Sequence, residues 1–373
     1  MRVAFIGTRG VPATYSGFET AVENIGRRMV DLGHEVEVYC RSGHYAARPE
    51  GYLGMRLTHL PALRQKHLET LSHTLLSSAS LPRDSAVICM GVGNAPIVRL
   101  LEARGRPTVF NVDGADWQRK KWGRFASWYL ERCEKMAAAS TSTLVSDAES
   151  VRRYYQNRYR RGTELVAYGA DPPLDTGTET LATFGLESGR YALFVGRLVP
   201  ENAPDQFLAA VRAARLGIPS VVVGDSPYAD EYIRGLKVDP PPGTVFTGYQ
   251  FGAAYQQLSH HAGVFVLAAS VGGTHPVLVE QMAAGNCVLA RDTESNREVL
   301  GDAGLLWNTT GELAEQLRLV FDTTDLRGAL GKAARLRAQD RYDWDAVTTR
   351  YLDLCEGTLA RSGRRSKRID RTR

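Results

Sequence analysis

Short apolar segments with strand character alternate with longer segments that carry one apolar face, from the first residues almost to the last. No other feature restricts the fold as much. "RVAFIG" (residues 2–7) leads through a loop to a stretch where Phe18, Ala21, Val22, Ile25 and Met29 keep one face and Gly33 closes the helix. "HEVEVYC", "AVICMG", "PTVFNV", "STLVS" and "ELVAYG" continue the series of strands, with helical stretches between them. Strand, crossover helix and strand again imply a parallel, doubly wound α/β sheet. Residues 169–190, "GADPPLDTGTETLATFGLESGR", break the periodicity with Pro, Gly, Thr and charge, and read as a linker. The alternation then resumes with "YALFVGR", "PSVVVGD", "GTVFTGY", "AGVFVLAA", "NCVLAR" and "AGLLW", so the second half is another doubly wound sheet. The expected organisation is an N-terminal domain over 1–172 and a C-terminal domain over 173–357 that ends in three closing helices. A flexible basic tail over 358–373 follows. Two such domains face each other across a cleft, and ligands of these sheets sit at the C-terminal ends of the strands.

Size and composition agree with a two-domain enzyme. The 373 residues allow two cores, and 43% hydrophobic with 23% charged residues is an ordinary globular balance. Much of the +5 net charge lies in "RSGRRSKRIDRTR" (361–373), which has seven Lys or Arg against one Asp. The body is then close to neutral, which excludes a nucleic-acid-coating protein and leaves no nucleic acid among the expected partners. Five scattered cysteines without a CxxC pair suit a reducing, cytoplasmic setting. The short apolar run of the N-terminus reads as a first strand, not a signal peptide, and no stretch has the roughly eighteen apolar residues of a membrane span.

Four loops that follow strands carry the chemistry. In "GTRGVPATYSGFET" (7–20) the glycines do not follow GxGxxG, and the second strand ends "YCRS" without an acidic residue for a ribose. The nicotinamide reading is therefore weak. Arg9, Tyr15 and Gly17 in this loop suit a phosphate or a polyhydroxylated acceptor, although Arg9 alone also reads as a solvated charge. "NVDGADWQRKKW" (111–122) brings Asp113, Asp116, Trp117 and Lys120 together. Carboxylates accept hydroxyls and flat apolar rings cover a pyranose face, but an N-cap Asp before buried tryptophans would look the same. "FVGRLVPENAPDQF" (194–207) sets Arg197 just after a buried strand, where its fork can grip a diphosphate at two points or close an inter-domain salt bridge. In "SVGGTHPVLVEQMAAGN" (270–286), Gly272, Gly273, Thr274 and His275 precede a helix beginning near Pro276, and Glu280 lies one turn in. A glycine loop entering a helix leaves N–H groups for an anion, or serves merely as a tight connection.

With "YGAD", "VGRLVPEN", "VGDSPYADEY", "FTGY" and "GGTHPVLVEQMAAGNCVLA…NREVLGDAGLLW", the chain resembles the retaining glycosyltransferases of family 4. Its first loop and "NVDGADWQRKKW" look more narrowly like a branch that includes bacterial rhamnosyltransferases of surface-polysaccharide assembly. The resemblance covers residues 1 to about 357 and implies two facing Rossmann-like domains in the GT-B arrangement. It implies a nucleotide-sugar donor, dTDP- or UDP-linked, held mainly by the C-terminal domain through Arg197, Gly272, Gly273, Thr274, His275 and Glu280, with Arg9 and Gly17 of the N-terminal domain also binding it. Glu280 would take the nucleotide's ribose or deoxyribose hydroxyl, and Arg197 the diphosphate. The acceptor, a saccharide or lipid-linked saccharide, would lie against Tyr15, Asp116, Trp117 and Lys120. Asp113, Arg197 and Glu280 would carry catalysis, Asp113 standing where many relatives have a histidine. The chain departs from the family at Gly272, where a glutamate is usual, and at Asn202, where a lysine is usual.

Such enzymes need no metal or other cofactor, because the departing diphosphate can itself take the acceptor's proton on the same face. Adjacent His260 and His261 point in different directions on a helix and make poor co-ligands. The rival readings are a nucleotide-sugar epimerase or phosphorylase of the same architecture and a non-catalytic nucleotide-sugar-binding subunit. The basic tail would dock reversibly on an anionic membrane, making the protein cytoplasmic with a peripheral site at the inner face of the plasma membrane.

Overall fold

The computed structural model describes residues 1–13, 17–45, 47–63, 65, 68–112, 123–226 and 229–370, with the backbone alone at 125 and 362–370. The chain divides into a first unit, Met1–Tyr168 with Trp344–Arg373, and a second, Gly169–Asp343.

The first unit is built on strands β1 (Arg2–Ile6), β2 (Glu35–Arg41), β3 (Gly51–Tyr52), β4 (Met55–Leu60), β5 (Ala86–Met90), β6 (Val109–Asn111), β7 (Thr143–Ser146) and β8 (Glu164–Leu165). They lie in the order β3-β4-β2-β1-β5-β6-β7-β8. The register runs parallel throughout, apart from the antiparallel β3–β4 hairpin. Alternate residues of the central strands face opposite layers, so each strand is apolar on both sides. Val3, Phe5 and Ile88 pack with Ile25 and Met29 of helix Gly17–Asp31. Ala4, Ile6 and Val87 pack with Val98 and Leu101 of helix Ala95–Ala103 and Cys133 of helix Arg124–Ala138.

The second unit has six strands, β9 (Ala192–Val195), β10 (Ser220–Val223), β11 (Thr244–Gly248), β12 (Val264–Leu267), β13 (Cys287–Arg291) and β14 (Leu305–Trp307). Their order, β11-β10-β9-β12-β13-β14, is 3-2-1-4-5-6 counted within the unit, and every pairing is parallel. The order reverses between β9 and β12, and in the first unit between β1 and β5. At such a reversal the connections leave for opposite faces and open a crevice beyond the strand ends. The linker is fastened to helix Gly252–His260: the amides of Leu174 and Asp175 donate to Gln256 Oε1 at 3.1 and 2.8 Å, and His261 Nδ1 lies 2.9 Å from Ser188 Oγ.

Three expected boundaries move, the first of them from 172 to Tyr168. The last of the three closing helices, Trp344–Asp370, belongs to the first unit, so the second ends at Asp343 and not at 357. The cause is a set of large side chains that only the first unit buries: Trp344, Tyr351 and Cys355 join the cluster of Val3 and Ile25. Asn111 Nδ2 donates to Tyr351 Oη at 2.9 Å, and Arg28 pairs with Asp345 at 2.7 Å. Nor does the helix stop at 357 to free a tail. Thr358 is buried and donates to the Leu354 carbonyl at 2.7 Å, Arg361 donates to Thr143 Oγ1, and the helical backbone runs to Asp370.

Candidate functional site

In the second unit, β9 and β12 are neighbours at the reversal point, and the loops leaving their C-terminal ends hold Arg197 and residues 270–275. A hydrogen bond from the Ser270 amide to the Glu201 carbonyl, 3.4 Å, joins the two loops. Arg197 is half-buried, and its guanidinium makes no hydrogen bond or ion pair among the described residues. Asn202 donates from Nδ2 to the Arg197 carbonyl at 2.8 Å. The residue in place of the family's lysine therefore fixes the loop that presents the arginine and supplies no charge.

Helix Pro276–Ala283 begins where the sequence predicts, with His275 at its N-cap and no side-chain cap. Leu278 N–H is satisfied by the His275 carbonyl at 2.9 Å, whereas the amides of Gly273 and Val277 donate to no described residue. Gly272 has φ +148°, a region that suits glycine, and a Cβ there would stand 2.8 Å from His275 Cε1. The His275 ring thus lies against the place that a side chain at 272 would use. Ser295 Oγ donates to the Gly272 carbonyl at 3.0 Å and steadies the turn.

Glu280 keeps part of its surface exposed, yet the packing around its carboxylate pushes its pKa up. The opposing influence is a 2.5 Å hydrogen bond donated by Tyr255, whose own pKa is raised by burial and by the nearby carboxylate. Sequence reasoning missed Tyr255. Its signal was the polar pair Tyr255 and Ser259, four residues apart on one face of helix Gly252–His260.

In the first unit, Arg9 follows β1 at the other reversal point. Its amide donates to Glu19 Oε1 at 3.0 Å and its carbonyl accepts from Arg41 at 2.8 Å. The Ala13 amide donates to Glu23 Oε2 at 2.8 Å, so the first two turns of the helix that opens at Gly17 hold the loop. Gly10, at φ +110°, passes so close to Cys40 that a Cβ would meet Sγ at 2.4 Å. A polar cluster at the end of β2 also escaped the sequence reading. Arg41, almost fully buried, lies 3.6 Å from Glu69 and donates to Thr70 at 2.9 Å, and His44 bonds Glu69. Beside it His73 is fully buried, and burial pushes its pKa down to about 4.

Arg197, Gly272, Gly273, Thr274 and His275 therefore stand on adjoining loops of one sheet edge, with Glu280 on the helix that follows. Arg9 and Gly17 belong to the other unit. Tyr15, Asp113, Asp116, Trp117 and Lys120 lie outside the described residues. Among the described residues no three His, Cys, Asp or Glu side chains converge, and no helix is long and apolar enough to cross a membrane.

Comparison with known proteins agrees with the two-domain fold. The glycosyl transferase 4-like domain matches residues 16–169, and the group 1 glycosyltransferase domain matches residues 189–322. The chain is 26% identical over 369 residues to the phosphatidyl-myo-inositol mannosyltransferase of Mycolicibacterium smegmatis, covering 91% of this chain and 90% of the relative. It is 25% identical over 410 residues to the D-inositol 3-phosphate glycosyltransferase of Streptomyces scabiei, covering 88% and 83%. Its fold is similar to sucrose-phosphate synthase of Thermosynechococcus elongatus, with TM-score 0.79, 18% identity and coverage of 96% and 99%. It is also similar to HepE of Anabaena in complex with UDP-glucose, with TM-score 0.77, 14% identity and coverage of 96% and 100%. With two Rossmann-like domains of the GT-B type and both family domains in order along its length, the chain belongs to the GT4-type glycosyltransferases, which act on nucleotide sugars.

Proposed function

We propose that the protein moves a sugar from a nucleoside diphosphate sugar to a hydroxyl of a saccharide acceptor, free or lipid-linked, with retention of configuration and without a metal ion. One observation carries the reading: an uncommitted guanidinium, Arg197, shares a sheet edge with two unspent amides, those of Gly273 and Val277. Negative charge builds on the diphosphate as the bond from the anomeric carbon to the phosphate oxygen breaks, and donors fixed in place beforehand stabilise it. The acceptor oxygen forms the new bond to the anomeric carbon on the same face and passes its proton to the departing phosphate oxygen. Glu280, steadied by Tyr255, takes a hydroxyl of the nucleotide's sugar, and Asp113 is assigned to stabilising the cationic sugar.

For the donor we favour rhamnose on thymidine diphosphate, on the likeness of the first loop and residues 111–122. A 6-deoxy sugar needs fewer hydroxyl acceptors, and glycine in place of a carboxylate at 272 is compatible with that. The mannosyltransferase similar along 91% of this chain supports a second reading, mannose from a nucleoside diphosphate. Titration of the protein with dTDP-rhamnose, GDP-mannose, UDP-glucose and UDP-N-acetylglucosamine, followed by NMR of the transfer product, tests both. Tightest binding of dTDP-rhamnose and an unchanged anomeric configuration are expected. Better use of GDP-mannose would move the assignment to the second reading, and binding of no nucleotide sugar would overturn both.

A further inference from the structure

Behind Glu280 runs a chain of hydrogen bonds whose direction is fixed. Asn286 Nδ2 donates to the Ser259 carbonyl at 2.8 Å and to Gln281 Oε1 at 2.7 Å. A carbonyl cannot donate, so the amide of Asn286 has only one workable orientation, and this in turn settles that of Gln281. Gln281 Nε2 then donates to Ser259 Oγ at 2.7 Å and to Tyr255 Oη at 3.2 Å. Tyr255, already an acceptor, has its own proton left for Glu280 Oε2 at 2.5 Å. Gln281, Asn286 and Ser259 are buried, so a broken link would leave a polar group without water.

We infer that Tyr255 is a positioning residue: it holds one carboxylate oxygen of Glu280, keeps the group in its ionised form and aims the other oxygen at the hydroxyls of the nucleotide's sugar. This rests on the assignment of Glu280 given above. Among the described residues no other charged group is set against that carboxylate. Helix Thr324–Arg341 packs on Pro276–Ala283, but its Arg335 lies against Gly285 and acts on His260, and its Arg327 acts on Cys287. His261, at the end of the Tyr255 helix, is engaged by Ser188 and Thr176.

Hydroxyl binding needs the carboxylate, so nucleotide affinity is present above the Glu280 pKa and is lost as pH falls through it. Tyr255→Phe keeps the ring and deletes the donor, which lets burial raise that pKa further. Calorimetry of the intact protein with UDP, GDP and dTDP, carrying forward whichever binds wild type best, should follow affinity from about pH 5 to about pH 9. The midpoint of the acid loss should move up by about one pH unit in Tyr255→Phe, so that affinity falls to as little as about one tenth of wild type on the acid side of the transition and is largely recovered at the alkaline end. Ionisation of the diphosphate is common to both proteins and cancels in the comparison. A Tyr255→Phe profile that superimposes on wild type, even with a lower melting temperature, would assign Tyr255 to packing and overturn the inference. Glu280→Gln separates the two levels. If it loses affinity while Tyr255→Phe does not shift, only the role of Tyr255 fails; if Glu280→Gln binds like wild type, the assignment of Glu280 fails and the inference with it.

Discussion

Placing an alanine at Gly272 puts the smallest possible side chain where the family has a glutamate, and the structure separates its cost into two parts. The backbone at φ +148° is nearly closed to a residue with a Cβ, and holding alanine there costs about 1–3 kcal/mol. The Cβ also lands 2.8 Å from His275 Cε1, and crowding of that kind costs about 1–3 kcal/mol unless the ring turns aside. Together these predict a loss of about 2–6 kcal/mol, or roughly 4–24 °C in the melting temperature for a unit of this size. Only the second part depends on His275. The double variant Gly272→Ala, His275→Ala should therefore be more stable than the sum of the single variants by about 1–2 kcal/mol, while the backbone part persists. Urea unfolding of the four proteins measures that coupling. Wild-type stability in Gly272→Ala, or a cost that His275→Ala leaves untouched, would refute the argument that the ring and a side chain at 272 compete for one place.

Arg197→Lys keeps the charge but loses the two-point grip, so turnover should fall by about tenfold or more with the melting temperature unchanged. Near wild-type turnover would reduce Arg197 to a loop residue. His73 has a folded-state pKa of about 4 against 6.5 when free. Its contribution to stability is complete above pH 6.5 and is lost as pH falls toward 4, by up to about 3 kcal/mol. His73→Leu should flatten the stability profile between those pH values, and unchanged acid sensitivity in unfolding curves would remove His73 as the cause. Removal of residues 362–373 spares the ordered Thr358 and Arg361 contacts. It should abolish salt-sensitive binding to anionic liposomes and leave donor affinity alone, and equal liposome binding by both proteins would exclude the tail from membrane docking.

The strands were legible because buried parallel strands are short apolar runs between turn residues, as in "AGVFVLAA" and β12, or "PSVVVGD" and β10. The β3–β4 hairpin was not, since "GYLGMRLTHL" carries Arg56 and His59 at the sheet's edge and buries only part of one face. Trp344, Tyr351 and Cys355 announce a buried helix face, but periodicity does not say which sheet receives it. For the same reason the site was read in part. Arg197, Gly272 and Glu280 sit in loops or first turns whose offset from a strand can be counted. Tyr255 reaches Glu280 from 25 residues away, and Asn202 reveals its role only through the carbonyl it bonds.

The return of the last helix to the first unit makes that unit discontinuous along the chain, with residues 169–343 inserted between its two parts. A ribosome delivers the chain from its N-terminus, so the inserted unit is complete before Trp344 leaves the exit tunnel. Until then the sheet of β1 and β5 has an uncovered apolar face where Trp344, Tyr351 and Cys355 will pack. The unit synthesised first is thus the one that finishes folding last.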